Sequence, residues 1–174
     1  MKSKPEPTIL AIDPGTTEMG VAVFQGDSLE YFGVKGIKRK TNAVKRLRIG
    51  LDVIKNLIRR FNPSVLVMEK TFFSPANRSS ILNVFTDEMQ RYALKQGLRV
   101  VGFAPTTIKK MVCGKGKATK AEVARKVASY HPELIRYLNF REDYKLKYWQ
   151  NMFDAVAVGL TFQKRERTLS SFPE

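Results

Sequence analysis

Asp13, Glu69 and Asp154 each stand where a carboxylate is either costly or put to use. Asp13 follows the apolar run ILAI and precedes a Pro-Gly turn and a second apolar run. That layout places it at the mouth of a hairpin, where it can meet a phosphate or a metal ion. Glu69 closes SVLVME, a short run of buried-strand type, and so falls at a strand's carboxyl edge, where sites collect in open α/β sheets. Asp154 interrupts NMFDAVAVGL, which is otherwise almost wholly apolar. A charge on a buried helix face needs compensation, and a metal or a neighbouring Lys or Arg can supply it. Taken singly, Glu69 also reads as an exposed loop charge and Asp154 as half of an ion pair. Taken together, three acids suit divalent cations, which want oxygen ligands and several negative charges. Pairs of such ions about 4 Å apart serve phosphodiester hydrolysis.

The elements that must carry these acids are legible in local pattern. Residues 9–12 and 20–24 predict two strands joined by the Pro14-Gly15 turn, and 29–34 a third strand of the same antiparallel meander. From Asn42, Val44, Leu47, Leu51, Ile54, Leu57 and Ile58 recur at helical spacing until Phe61-Asn62-Pro63 ends the helix. The run ending at Glu69 then enters the sheet. A Ser/Pro/Asn/Arg loop covers 73–80, and a helix over 79–96 is stopped by Gly97. RVVGFAP predicts another strand, PTTIKKMV a helix with Pro in its first turn, and GKGKATK a flexible basic loop. Thr119 with Glu122 forms a capping box that opens a helix to Tyr130. Residues 139–147 read as a charged connection and 148–163 as the last helix, with frayed ends at 1–7 and 168–174. One domain over 1–174 is expected, an α/β fold with a mixed sheet and helices on its faces.

Charge narrows the partners. Lys and Arg number 31 against 16 Asp and Glu, a net +15 in a chain of 174 residues. Such a surplus costs self-repulsion and points to a polyanion, nucleic acid before a membrane surface. The polar, Pro-broken start MKSKPEPT is unlike a signal peptide, and no apolar run approaches the ~20 residues of a membrane helix. The lone Cys113 fits a reducing compartment and reads as a small buried side chain. A cytoplasmic protein with no membrane contact is expected. The single histidine, His131, is expected at the surface beside Pro132.

A strand, an Asp-x-Gly-Thr-Thr-like turn and a second strand also open actin-like ATPases and sugar kinases. Those need a duplicated domain with another Gly-rich phosphate turn, and no such turn exists here. The other fold that begins this way is the RNase H-like superfold of two-metal nucleases. Within it, the sequence resembles the RuvC family of Holliday junction resolvases over most of its length. AIDPGTTEMGVAVF resembles that family's Asp-Pro-Gly-x-x-x-x-Gly block, and VLVMEKTFF its second strand with Glu followed closely by an aromatic. VVGFAPTTIKKMVCGKGKATKAEV resembles Pro-Thr-x-x-Lys followed by Gly-x-Gly-x-Ala-x-Lys, the most distinctive block. NMFDAVAVGL resembles the metal-binding helix with Asp/His-x-x-Asp-Ala.

The resemblance implies an RNase H-like mixed five-stranded sheet with helices on both faces. It implies a divalent-metal-dependent endodeoxyribonuclease that nicks a four-way junction symmetrically, leaving 5′ phosphates and 3′ hydroxyls. Asp13, Glu69 and Asp154 would be metal ligands for two Mg²⁺ ions, with Mn²⁺ as substitute and Asn151 at the fourth ligand position. Lys109 and Lys120 match lysines near the scissile phosphate, where a cation relieves the charge that builds on phosphoryl oxygens. Phe72 matches an aromatic that stacks on bases at the crossover, worth about 1–3 kcal/mol per base. Phe73, Arg78, Lys110, Lys115 and Lys117 would complete the DNA-binding surface. Two symmetric nicks imply a homodimer, and the apolar surplus of helix 79–96 makes it the dimer element. Branch-migration machinery is an implied partner.

One position departs from the pattern. The family places Asp or His three residues before Asp154, on the same helical face, and this sequence has Asn151. An amide oxygen can ligate Mg²⁺ but brings no charge and cannot act as a base. A junction-binding protein without turnover, or a related nuclease acting on flaps or RNA–DNA hybrids, therefore stands beside the resolvase.

Overall fold

The computed structural model describes residues 6–37, 41–70, 81–138 and 143–171. The meander forms from β1 (Thr8–Asp13), β2 (Glu18–Gln25) and β3 (Ser28–Gly36), antiparallel throughout, with Asp13 opposite Gly20. On the other side of β1, β4 (Val65–Glu69) pairs in parallel, and β5 (Arg99–Phe103) adds in parallel to β4. The order β3-β2-β1-β4-β5 is the expected five-stranded mixed sheet.

Strand alternation divides the core in two. Leu10 and Ile12 of β1 and Leu66 and Met68 of β4 face α1 (Ala43–Phe61) and α2 (Ile81–Lys95), meeting Ile54, Leu57, Phe85 and Met89. Ile9, Ala11, Val65 and Val67 face the opposite layer of α3 (Pro105–Cys113), α4 (Lys120–Tyr130) and α5 (Asp143–Ser170). Asp13 is in phase with Ile9, and Glu69 with Val65, so both fall on the α5 side.

Helix ends follow local chemistry. Asn42 Oδ1 accepts the Lys45 N–H at 2.8 Å and opens α1, and Asn62 closes it in the left-handed region at φ 43°. Pro105 sits in the first turn of α3, and Gly114 ends it at φ 78°. The capping box of Thr119 and Glu122 is formed at α4. A 3₁₀ turn over Pro132–Tyr137, which the pattern did not predict, leads toward α5.

The last helix is longer than expected. It starts at Asp143, inside the predicted connection, and continues to Ser170, inside the predicted frayed end. Apolar periodicity tracks burial, and the C-terminal turns are held by polar contacts that it does not register. Glu166 accepts two bonds of 3.1 Å from Arg99 of β5. Gln163 donates to the Gly26 carbonyl, and Arg167 pairs with Asp27. In its middle, α5 lies directly on the sheet. A β-carbon on Gly20 would sit 1.7 Å from the Asn151 carbonyl oxygen, so only glycine admits the helix to that depth.

His131 is buried, contrary to the expectation of a surface residue. Its ring meets Phe24 edge-on at 5.7 Å, and burial lowers its pKa. The 3₁₀ turn that follows opens with the Leu134 N–H donating to the His131 carbonyl at 2.9 Å. Cys113 is a half-buried free thiol, its pKa raised by burial. Among the described residues, no helix is long and apolar enough to cross a membrane.

Candidate active site

The three acids arrive from three elements. Asp13 ends β1, Glu69 ends the parallel neighbour β4, and Asp154 projects from α5 packed across both. They line one cavity of about 220 Å³ together with Lys109 of α3 and Lys120 of α4. Pro105, Ile108 and Val123 supply its apolar wall. Two adjacent parallel strands ending together create the opening, and α3 and α4 close its flank.

Electrostatics mark the cavity as short of positive charge. Burial holds the Asp13 carboxyl well above the usual range, and the charges of Asp154 and Glu69 add to the rise. Glu69 is raised by burial and by Asp154, against the opposing pull of Lys120 and Lys109. Asp154 is raised by burial despite Lys120 and a hydrogen bond from Gln150. Lys120 Nζ stands 3.7 Å from Asp154 Oδ2, but its side chain is 70% exposed, so water screens the pair. Lys120 also occupies the first turn of α4, where the helix dipole disfavours a cation. Neither lysine fully offsets the three half-buried carboxylates.

A family model described as crossover junction endodeoxyribonuclease RuvC matches residues 9–162, which includes every wall of this cavity. The chain belongs to the RuvC family. The RuvC of Akkermansia muciniphila is 30% identical over 159 residues, covering 88% of each chain. That of Neorickettsia sennetsu is 33% identical over 156 residues, covering 86% of this chain and 88% of the relative. Among solved structures, Thermus thermophilus RuvC in complex with a Holliday junction substrate aligns with a TM-score of 0.75 at 22% identity, covering 95% and 98% of the two chains. The yeast mitochondrial Holliday junction resolvase aligns at 0.63 with 15% identity, covering 98% and 84%. These two likenesses establish the RNase H-like fold.

The remaining residues singled out in this RuvC-family sequence lie elsewhere. Lys110, Lys115 and Lys117 are exposed and do not line the cavity. Lys115 donates to Glu122 at 2.5 Å, and this bond with that from Thr119 lowers the Glu122 pKa to about 2. Phe72, Phe73 and Arg78 lie outside the described residues. Asn151 is not brought into the cavity wall: its Nδ2 approaches the Glu18 carbonyl at 3.5 Å, where α5 lies against β2. Its neighbour Gln150 is buried and donates from Nε2 to Asp154 Oδ1 at 2.8 Å. Sequence reasoning missed Gln150, although a polar residue four positions before an acid on an apolar helix is a readable signal.

Proposed function

We propose that this chain resolves four-way DNA junctions by paired, symmetric, metal-dependent nicks that leave 5′ phosphates and 3′ hydroxyls. The observation that carries this reading is the gathering of Asp13, Glu69, Asp154, Lys109 and Lys120 around one cavity in a RuvC-family fold. A Holliday junction is the substrate held by the structurally similar Thermus thermophilus RuvC, and we take the same substrate class here.

The donor set fits a hard divalent cation. All three acids offer oxygen, and all three are half-buried, with raised pKa values that a cation between them would reverse. Among the described residues, no three acids, histidines or cysteines stand close enough to hold an ion as they lie. Asp13, Glu69 and Asp154 line the walls of one cavity. They would hold Mg²⁺, or Mn²⁺ in its place. When bound, such ions polarise the phosphoryl group and lower the pKa of the attacking water.

The protein's own residues do the rest. Lys109, half-buried on the cavity wall, and Lys120 at its rim meet the charge that develops on the phosphoryl oxygens. Pro105, Ile108 and Val123 keep that side of the cavity apolar, so these interactions act in a lower dielectric than bulk water. Phe72 stacks on opened bases, and Phe73, Arg78, Lys110, Lys115 and Lys117 complete the DNA-binding surface. Asn151 is not among the residues lining the cavity, and its Nδ2 stands 3.5 Å from the Glu18 carbonyl oxygen.

Symmetric nicks require two sites and hence a homodimer. Val84 and Leu94 of α2, 42% and 60% exposed, provide its apolar contact. Branch-migration machinery and a cytoplasmic setting complete the reading. Asp13→Asn tests it: nicking of a synthetic four-way junction falls by about 1,000-fold or more, as loss of several kcal/mol of metal assistance requires, while junction binding persists. Nicking at the normal rate by this variant would remove the metal-site assignment.

A further inference from the structure

α5 is apolar wherever it crosses the sheet. Met152, Phe153, Ala155, Val156, Ala157 and Val158 are fully buried, so packing alone calls for another hydrocarbon at 150. Gln150 is there instead, only 6% exposed. A buried amide donor left without a partner costs about 1–3 kcal/mol. Gln150 avoids that cost by donating from Nε2 to Asp154 Oδ1 at 2.8 Å, one turn along the same helix.

The two oxygens of Asp154 are thereby made unequal. Oδ1 is tied to Gln150, which does not line the cavity. Oδ2 is the oxygen nearest Lys120, which does, at 3.7 Å. The amide is neutral, so it fixes the carboxylate without cancelling the charge that a cation needs. Asn151 performs no such service, since its amide turns to the Glu18 carbonyl.

Resting on the reading of Asp154 as a metal ligand, we propose that Gln150 is its positioning residue, holding Oδ1 so that Oδ2 is presented to the cavity. Partners of this kind, standing behind a ligand, are typically worth about 10–100-fold in metal affinity.

The test uses the full chain without DNA and measures Mn²⁺ binding by calorimetric titration. Gln150→Met keeps the volume and removes the donor, and Gln150→Ala serves as a second variant should the thioether repack the helix. Both are checked for wild-type helix content by circular dichroism. The expected result is Mn²⁺ binding weaker by about 10–100-fold in both variants. Junction nicking by the Gln150 variants recovers as Mn²⁺ is raised. Unchanged Mn²⁺ affinity in the folded variants would overturn the proposal while leaving the metal site itself intact. So would nicking that stays low at saturating Mn²⁺, which would mark Gln150 as structural. A wild-type chain that binds no Mn²⁺, with Asp13→Asn indistinguishable from it, would instead remove the metal-site reading and this inference together.

Discussion

A desolvated carboxylate destabilises a fold unless something compensates it, and this chain holds three half-buried ones around one cavity. Each has its pKa raised in the folded state, so each favours the fold while protonated and loses that contribution as pH climbs through the raised value. The metal-free protein therefore weakens from the ordinary carboxylate range near pH 4 toward neutrality. Asp13→Asn removes the carboxylate pushed furthest, and thermal unfolding in a chelator at pH 7 should show a higher midpoint than wild type. Each kcal/mol relieved corresponds to about 2–4 °C at this chain length, and the gain should vanish near pH 4. A variant less stable than wild type at pH 7 would mean that Asp13 is already compensated. Lys120 is exposed and only loosely paired. Lys120→Met should therefore leave stability unchanged while lowering the single-turnover nicking rate by about 100-fold, the usual loss for one donor to a developing oxyanion.

Elements place these residues, and two element-scale devices are open to test. The capping box of Thr119 and Glu122 fixes the start of α4 and with it Lys120. Thr119→Ala should cost about 1 kcal/mol in denaturant unfolding and slow nicking beyond what that loss explains. The close seating of α5 on β2 depends on Gly20, whose β-carbon would meet the Asn151 carbonyl oxygen. Gly20→Ala should cost about 1–3 kcal/mol, as overpacking does, and weaken Mn²⁺ binding by lifting Asp154 from its strand partners. Capping and turn signals are short-range, which is why the stop at Asn62-Pro63, the first-turn Pro105 and the box of Thr119 and Glu122 could be read from sequence. The outer turns of α5 could not, because Gln163, Glu166 and Arg167 find their partners at Gly26, Arg99 and Asp27, far away along the chain. His131 was misjudged for the same reason: the Phe24 ring beside it belongs to a distant strand. The acids were legible because each breaks a local pattern. The contact of Asn151 with the Glu18 carbonyl was not, since it depends on the packing of α5 on β2.

The whole molecule carries a net +15, far more than five cavity residues use. Much of that charge should face phosphates, and junction affinity should fall steeply with salt, by about 0.9 in the log–log slope for each phosphate neutralised. A flat response in a filter or anisotropy assay would argue against a phosphate-tracking surface. Symmetry makes a second demand. Light scattering of the chain at micromolar concentration should give twice the mass of one chain, and Leu94→Glu should shift it toward the monomer.

The most direct measurement is nicking of a synthetic four-way junction in Mg²⁺ and Mn²⁺, beside a linear duplex of matching sequence. Paired, symmetric nicks on the junction and none on the duplex are predicted. Tight junction binding with no nicks in either metal, or equal cutting of both substrates, would contradict the account.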